Sequence, residues 1–124
     1  MSLILDGDDG ASKVNIAAFN STGTAPQYVC RAWVNFNGTG TVAIRESGNV
    51  SSITDNDVGS YTVNFTTAMP HVNYMGFGTT SSVTAGSDVS APRLLERTVN
   101  SVRVECWTNG EREDNLNMDV GFIL

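Results

Sequence analysis

The sequence predicts an all-β protein, an antiparallel β-sandwich or jelly roll with an extended N-terminal arm. Three observations carry the prediction. Segment after segment alternates apolar and polar residues with period two; Asn, Ser, Thr and Gly punctuate those segments at short intervals; and helix formers are thin, with lysine present only at Lys13. The chain has 124 residues, 40% hydrophobic and 16% charged, which suits one packed domain and not a disordered chain.

Residues 1–27 read as the arm, because "DGDDG" and "NSTGTAP" bring turn residues without sustained alternation. The domain proper is 28–124. Its first strand, 28–36, sets Cys30, Ala32, Val34 and Phe36 on one side and Arg31, Trp33 and Asn35 on the other. The short "NGTG" at 37–40 favours an antiparallel hairpin into a strand at 41–46, since a parallel return needs a dozen residues or more. "SGN" at 47–49 then turns the chain into a weaker strand at 49–54, and "DNDVG" at 55–59 reads as the next turn. In 61–67, Tyr61, Val63 and Phe65 oppose Thr62, Asn64 and Thr66. A strand at 72–78 follows. "APRLLERT" at 91–98 has the one helical flavour of the chain and is read as a single helical turn or bent loop. In 98–107, Val102, Val104 and Cys106 oppose Arg103, Glu105 and Trp107; "TNGERED" at 108–114 turns, and 117–124 closes the fold. Short strands at this spacing predict a sandwich or jelly roll.

Charge narrows the partners. A net charge of −6 with scattered arginines disfavours nucleic acid, whose phosphates call for clustered cations. No apolar run reaches the roughly 18 residues of a membrane span, and "MSLILDG" does not have the pattern of a signal peptide. Cys30 and Cys106 could form one bridge, but each sits in an apolar strand phase, which favours reduced core thiols. His71, after Pro70, is the single histidine, so neither a histidine zinc site nor a nucleophile–histidine–acid set is expected. "DGDDG" and "DNDVG" resemble parts of a calcium loop without its closing glutamate, and Glu111 with Glu113 reads as a solvated acidic loop. No cofactor, metal or catalytic residue is expected. The four N-x-S/T stretches at Asn20, Asn37, Asn49 and Asn64 carry no information in so Asn- and Thr-rich a chain.

What does stand out is the polar side of two strands. Trp33 with Arg31, and Trp107 with Arg103 and Glu105, lie opposite their strands' apolar rows. Three coverings are open: a neighbouring copy, with the charges pairing along the seam; a sugar ring stacked on indole; or the arm or a loop of the same chain. The enrichment of Trp and Arg at interfaces favours the neighbouring copy. The turn tips Asp55, Asn56 and Asp57, and Asn109, Glu111, Arg112, Glu113 and Asp114, are the expected outer contacts.

"SLILDGDDGASKVNI" resembles the "LDG-x-x-G" spacers that precede C-terminal domains in tail fibres of tailed bacteriophages. "CRAWVNFNGTGTVAIRESGNVSSITDNDVGSYTVNFTTAMPHVNY" is similar to a segment that recurs in phage tail-fibre and related virion proteins. The likeness covers 2–74 and is strongest from 28 to 70. It implies a non-enzymatic virion protein assembled in the host bacterial cytoplasm: a homotrimeric, knob-like module for host attachment or tail structure. Its partners would be copies of itself, other virion proteins and a host-surface glycan or protein. A capsid decoration or head-fibre protein and a monomeric carbohydrate-binding module are the alternatives.

Overall fold

The structure is a computed structural model that describes residues 28–81 and 91–124. The arm expected at 1–27, with "DGDDG", Lys13 and Asn20, lies outside the described residues. Ten strands follow in order: β1 Cys30–Asn37, β2 Ala43–Gly48, β3 Val50–Asp57, β4 Ser60–Phe65, β5 Met75–Ser81, β6 Arg93–Leu95, β7 Ser101–Glu105, β8 Trp107–Thr108, β9 Glu111–Arg112 and β10 Asn117–Ile123. There is no helix among the described residues.

Two antiparallel four-stranded sheets form a sandwich. The first has the order β2-β1-β10-β5 and the second β3-β4-β7-β6, with β8-β9 as a separate two-stranded ribbon. Period-two alternation turns one face of each sheet inward. Ala32, Val34, Phe36, Met118, Val120 and Phe122 meet Tyr61, Val63, Phe65, Val102 and Val104 in one core. Aromatic rings bridge the layers edge to face: Phe36 lies 5.2 Å from Tyr61, and Phe122 lies 5.3 Å from Phe65 and 5.8 Å from Tyr74. Such pairs add about 0.5–1.5 kcal/mol beyond the area they bury.

The crossover between sheets is made at Asn49. It takes a left-handed conformation, φ 56°, which asparagine tolerates better than most residues. Its side chain then clips both layers, the Nδ2 donating to the Arg31 and Thr67 carbonyls and the Oδ1 accepting from the Thr67 amide at 2.7 Å.

Several expectations are corrected by packing. The segment 91–98 forms no helical turn: Arg93–Leu95 pairs with β7, Leu94 opposite Val104, and Leu94 packs against the core. Eight residues hold little helix on their own, and burial of Leu94 with strand pairing outweighs propensity. The turn expected over 55–59 shrinks to Val58–Gly59, because β3 stays paired through Asp57. Gly59 is needed there: φ is 62°, and a Cβ would stand 2.7 Å from the Glu113 amide. Cys30 is exposed rather than in the core. The β1–β10 register shifts between Cys30 and Ala32, and this irregularity breaks the alternation that would have turned Cys30 inward.

Both thiols are free, but only Cys106 is buried, 3.0 Å from Met118 Sδ. Burial pushes the Cys106 thiol up to about 12 from its ordinary 9.0. A thiol reagent should therefore label Cys30 in the native protein and Cys106 only after unfolding; equal native labelling would contradict the burial. Below pH 9 both folded and unfolded chains hold the Cys106 proton. Above it the unfolded chain releases the proton first, so stability is lost as pH rises toward about 12. Tyr61, whose hydroxyl is also raised by burial and by Asp114, acts in the same direction.

Candidate functional site

The two tryptophans share a strand phase but not a face. Trp33 is on β1 in the first sheet, while Arg103 and Glu105 are on β7 in the second, with Trp107 just beyond it. In a sandwich the outward sides of the two sheets point in opposite directions. The structure therefore separates Arg31 and Trp33 from Arg103, Glu105 and Trp107.

The second group is closed by its own chain. Glu105 is its hub, with a side chain only 11% exposed. Arg103 reaches it at 3.4 Å and also pairs with Glu96 at 2.9 Å; Arg112 lies 3.9 Å from it and 3.1 Å from Asp57. The Trp107 indole Nε1 donates to Glu105 Oε2 at 3.4 Å, and the Arg93 guanidinium sits 4.5 Å from the centre of the Trp107 ring. The two outer pairs, Arg103–Glu96 and Arg112–Asp57, are exposed enough to be worth about 0–1 kcal/mol each. Their importance here is that charge and indole already have partners.

No other described segment covers the outer face of the first sheet. Register places Gly48, Trp33, Gly121 and Phe77 in one row across β2, β1, β10 and β5. The glycines make room for the rings: a Cβ on Gly48 would stand 2.4 Å from Trp33 Nε1, and one on Gly121 2.6 Å from Phe77 Cζ. Each ring thus lies over the neighbouring strand, and both lean toward the β2 side. Between them opens a groove of about 530 Å³, lined by Trp33, Asn35, Phe77, Thr79, Asp119 and Gly121 among others. Trp33 is 42% exposed, Phe77 50% and Met75 55%, an unusual density of large apolar surface for one sheet face.

Along the strands the face changes character. One row further on stand Glu46, Asn35, Asp119 and Thr79. Asn35 donates its Nδ2 to Asp119, and Arg45 lies 3.4 Å from Asn35 Oδ1 while it holds the Leu116 carbonyl at 2.7 Å. In the other direction Ile123 pairs with Met75, beside Tyr28 and Leu124. Arg31 is exposed near this apolar end, and its carbonyl is held by Asn49.

The acidic tips converge at one end of the sandwich. Asp57 pairs with Arg112; Asn56 Nδ2 donates to Thr62 Oγ1 at 2.8 Å; and Asp55 lies opposite Tyr61 in the β3–β4 register. Asp114 Oδ1 accepts the Gly59 amide at 2.8 Å and lies 2.7 Å from the Tyr61 hydroxyl. Asn109 and Gly110 form the tip of the β8–β9 ribbon, flanked by Glu111, with Glu113 following Arg112. No group of three or more His, Cys, Asp and Glu among the described residues has metal-binding geometry. No helix among them is long and apolar enough to cross a membrane. His71 is exposed, its Nδ1 accepting the Asn73 amide.

Phe77 and Met75 belong to the site and sequence reasoning did not single them out. The signal was present in "MGFG", where large apolar residues alternate with glycine. At Gly76 a Cβ would run into the Leu94 side chain, and at Gly78 into the Asp119 carbonyl oxygen with Pro92 next to it, so only glycine fits on that side and Met75 and Phe77 stand on the other. Comparison with protein-family models, curated proteins and solved structures gives no match.

Proposed function

We propose that the chain is a non-enzymatic module of a phage virion, a tail-fibre-like homotrimer for host attachment or tail structure, whose copies meet through the outer face of the first sheet. The resemblance of residues 2–74 to tail-fibre segments supports the virion assignment. One structural observation supports the seam: among the described residues nothing fills the Trp33–Phe77 groove, whereas the charges and indole on the opposite face are already paired. Size sets a condition. Four strands about 4.8 Å apart, six to eight residues long at about 3.3 Å each, give roughly 440 Å² of flat face. A standard interface takes roughly 800 Å² per partner, so the exposed Tyr28 and Val29 beside the sheet must join the contact. In this reading the acidic tips at 55–57 and 109–114 point away from the seam and offer the surface for a host-surface glycan or protein, or for other virion proteins.

Light scattering in dilute solution tests the seam. A mass near three times 13.2 kDa is expected, and a persistent single-chain mass would overturn it. The second reading, a monomeric carbohydrate-binding module, is favoured by the Asn35–Asp119 pair lying one row from the rings, where hydroxyls of a stacked sugar would fall. It would show glycan binding at single-chain mass, lost in Trp33→Ala. Immunogold labelling of virions separates a tail location from capsid decoration.

A further inference from the structure

We propose that Asn109 is a site of spontaneous covalent modification, deamidating through its neighbour Gly110, while the other Asn-Gly pair among the described residues, Asn37-Gly38, is held intact by the fold. In the reaction the Gly110 amide nitrogen attacks the Asn109 side-chain carbonyl carbon. A nitrogen–carbon bond forms, the side-chain nitrogen leaves as ammonia carrying the displaced proton, and a five-membered succinimide remains. One water then adds to either ring carbonyl and opens it, leaving aspartate or isoaspartate. Water is the one co-reactant.

The attack requires the glycine nitrogen to turn toward the side chain that precedes it. At Gly38 it cannot do so without breaking the fold. The Gly38 amide donates to the Asn115 carbonyl at 2.9 Å, and the Asn37 Oδ1 is held by the Thr39 amide at 3.0 Å and its hydroxyl at 2.7 Å. The space around Gly38 is also full, with the Tyr61 hydroxyl oxygen 2.5 Å from where a Cβ would stand. Gly110 follows Asn109 at an exposed turn, φ 50° at Asn109 and 85° at Gly110, and there is nothing within 4 Å of the Gly110 Cβ position. The ribbon that carries them has two residue pairs, Trp107 with Arg112 and Thr108 with Glu111. So short a ladder opens locally at little cost, and opening is what the glycine nitrogen needs.

The product matters for the surface. It adds a negative charge beside Glu111 at the tips assigned to outer contacts. Isoaspartate also lengthens the backbone by one carbon, which a two-residue turn with both φ positive does not accommodate.

The native protein is incubated in mildly alkaline buffer, digested with trypsin and read by mass spectrometry with isoaspartate-resolving chromatography. Val104–Arg112 carries Asn109, and Ala32–Arg45 carries Asn37. Conversion at Asn109 is expected to be at least about tenfold faster than at Asn37. In denaturant, where each asparagine is simply followed by glycine, the two rates should come within a factor of about three. Equal native rates, faster conversion at Asn37, or a gap that persists in denaturant would each overturn the proposal. The readout is a covalent change, so its failure leaves the proposed seam standing.

Discussion

Phe122→Ala is expected to lower the unfolding free energy by about 3–5 kcal/mol and the melting temperature by about 10–20 °C. The ring is fully buried on β10, the central strand that pairs with both β1 and β5. It stands at 78° to Phe65 of the second sheet and at 88° to Tyr74, and those two rings are themselves 5.8 Å apart at 82°. Three mutually edge-on rings leave little freedom to collapse into the space a missing one vacates, and it is residual cavity that raises the cost of such substitutions. Tyr74 cannot move freely to fill it, because its hydroxyl lies 3.0 Å from the Thr98 carbonyl and 3.2 Å from that of Ser101. A domain of this size has about 5–15 kcal/mol in total, so the variant should be close to half unfolded in mild denaturant. A loss below about 1 kcal/mol in chemical denaturation would mean that the two layers do not lock through this ring.

The strands were legible because alternation and turn residues agreed with each other. Val63, Val102 and Val104 are buried as the pattern required, and the "NGTG" hairpin joins β1 and β2. What the pattern could not carry is the third dimension. Period two tells which residues share a side of one strand; it does not tell which sheet the strand enters. Trp33 and Trp107 therefore looked alike, and Arg103 and Glu105 looked like seam residues, until the pairing β4-β7 put them on the sheet opposite β1. Two local irregularities were equally invisible. A register shift at Cys30 turned a core thiol outward, and a three-residue strand at Arg93–Leu95 replaced a helical turn because β7 offered it an edge. The groove was half visible: Trp33 was found by its odd side, whereas Phe77 needed the inward packing of Leu94 and Pro92 against the glycines beside it.

That separation of the two indoles yields the second large effect. Trp33→Ala is expected to weaken association between copies by about 30-fold or more, and Trp33→Ala with Phe77→Ala to leave single chains at micromolar concentration. Large aromatics near the centre of an interface commonly cost 2 kcal/mol or more when truncated, and these two frame the groove on the outer face of the first sheet. The fold should barely notice. Both rings are about half exposed and stand over glycines outside the core, so their removal empties no buried cavity. Trp107→Ala should do the reverse: it loses the Arg93 contact and the bond to Glu105, costs the fold about 1 kcal/mol, and leaves association nearly unchanged. The opposite signatures of two tryptophans in the same strand phase make the test decisive, since a general loss of stability would move both. Sedimentation across a dilution series reads association and thermal melting reads the fold. If Trp107→Ala dissociates the assembly while the Trp33 and Phe77 variants do not, the copies meet through the ion-paired face of the second sheet.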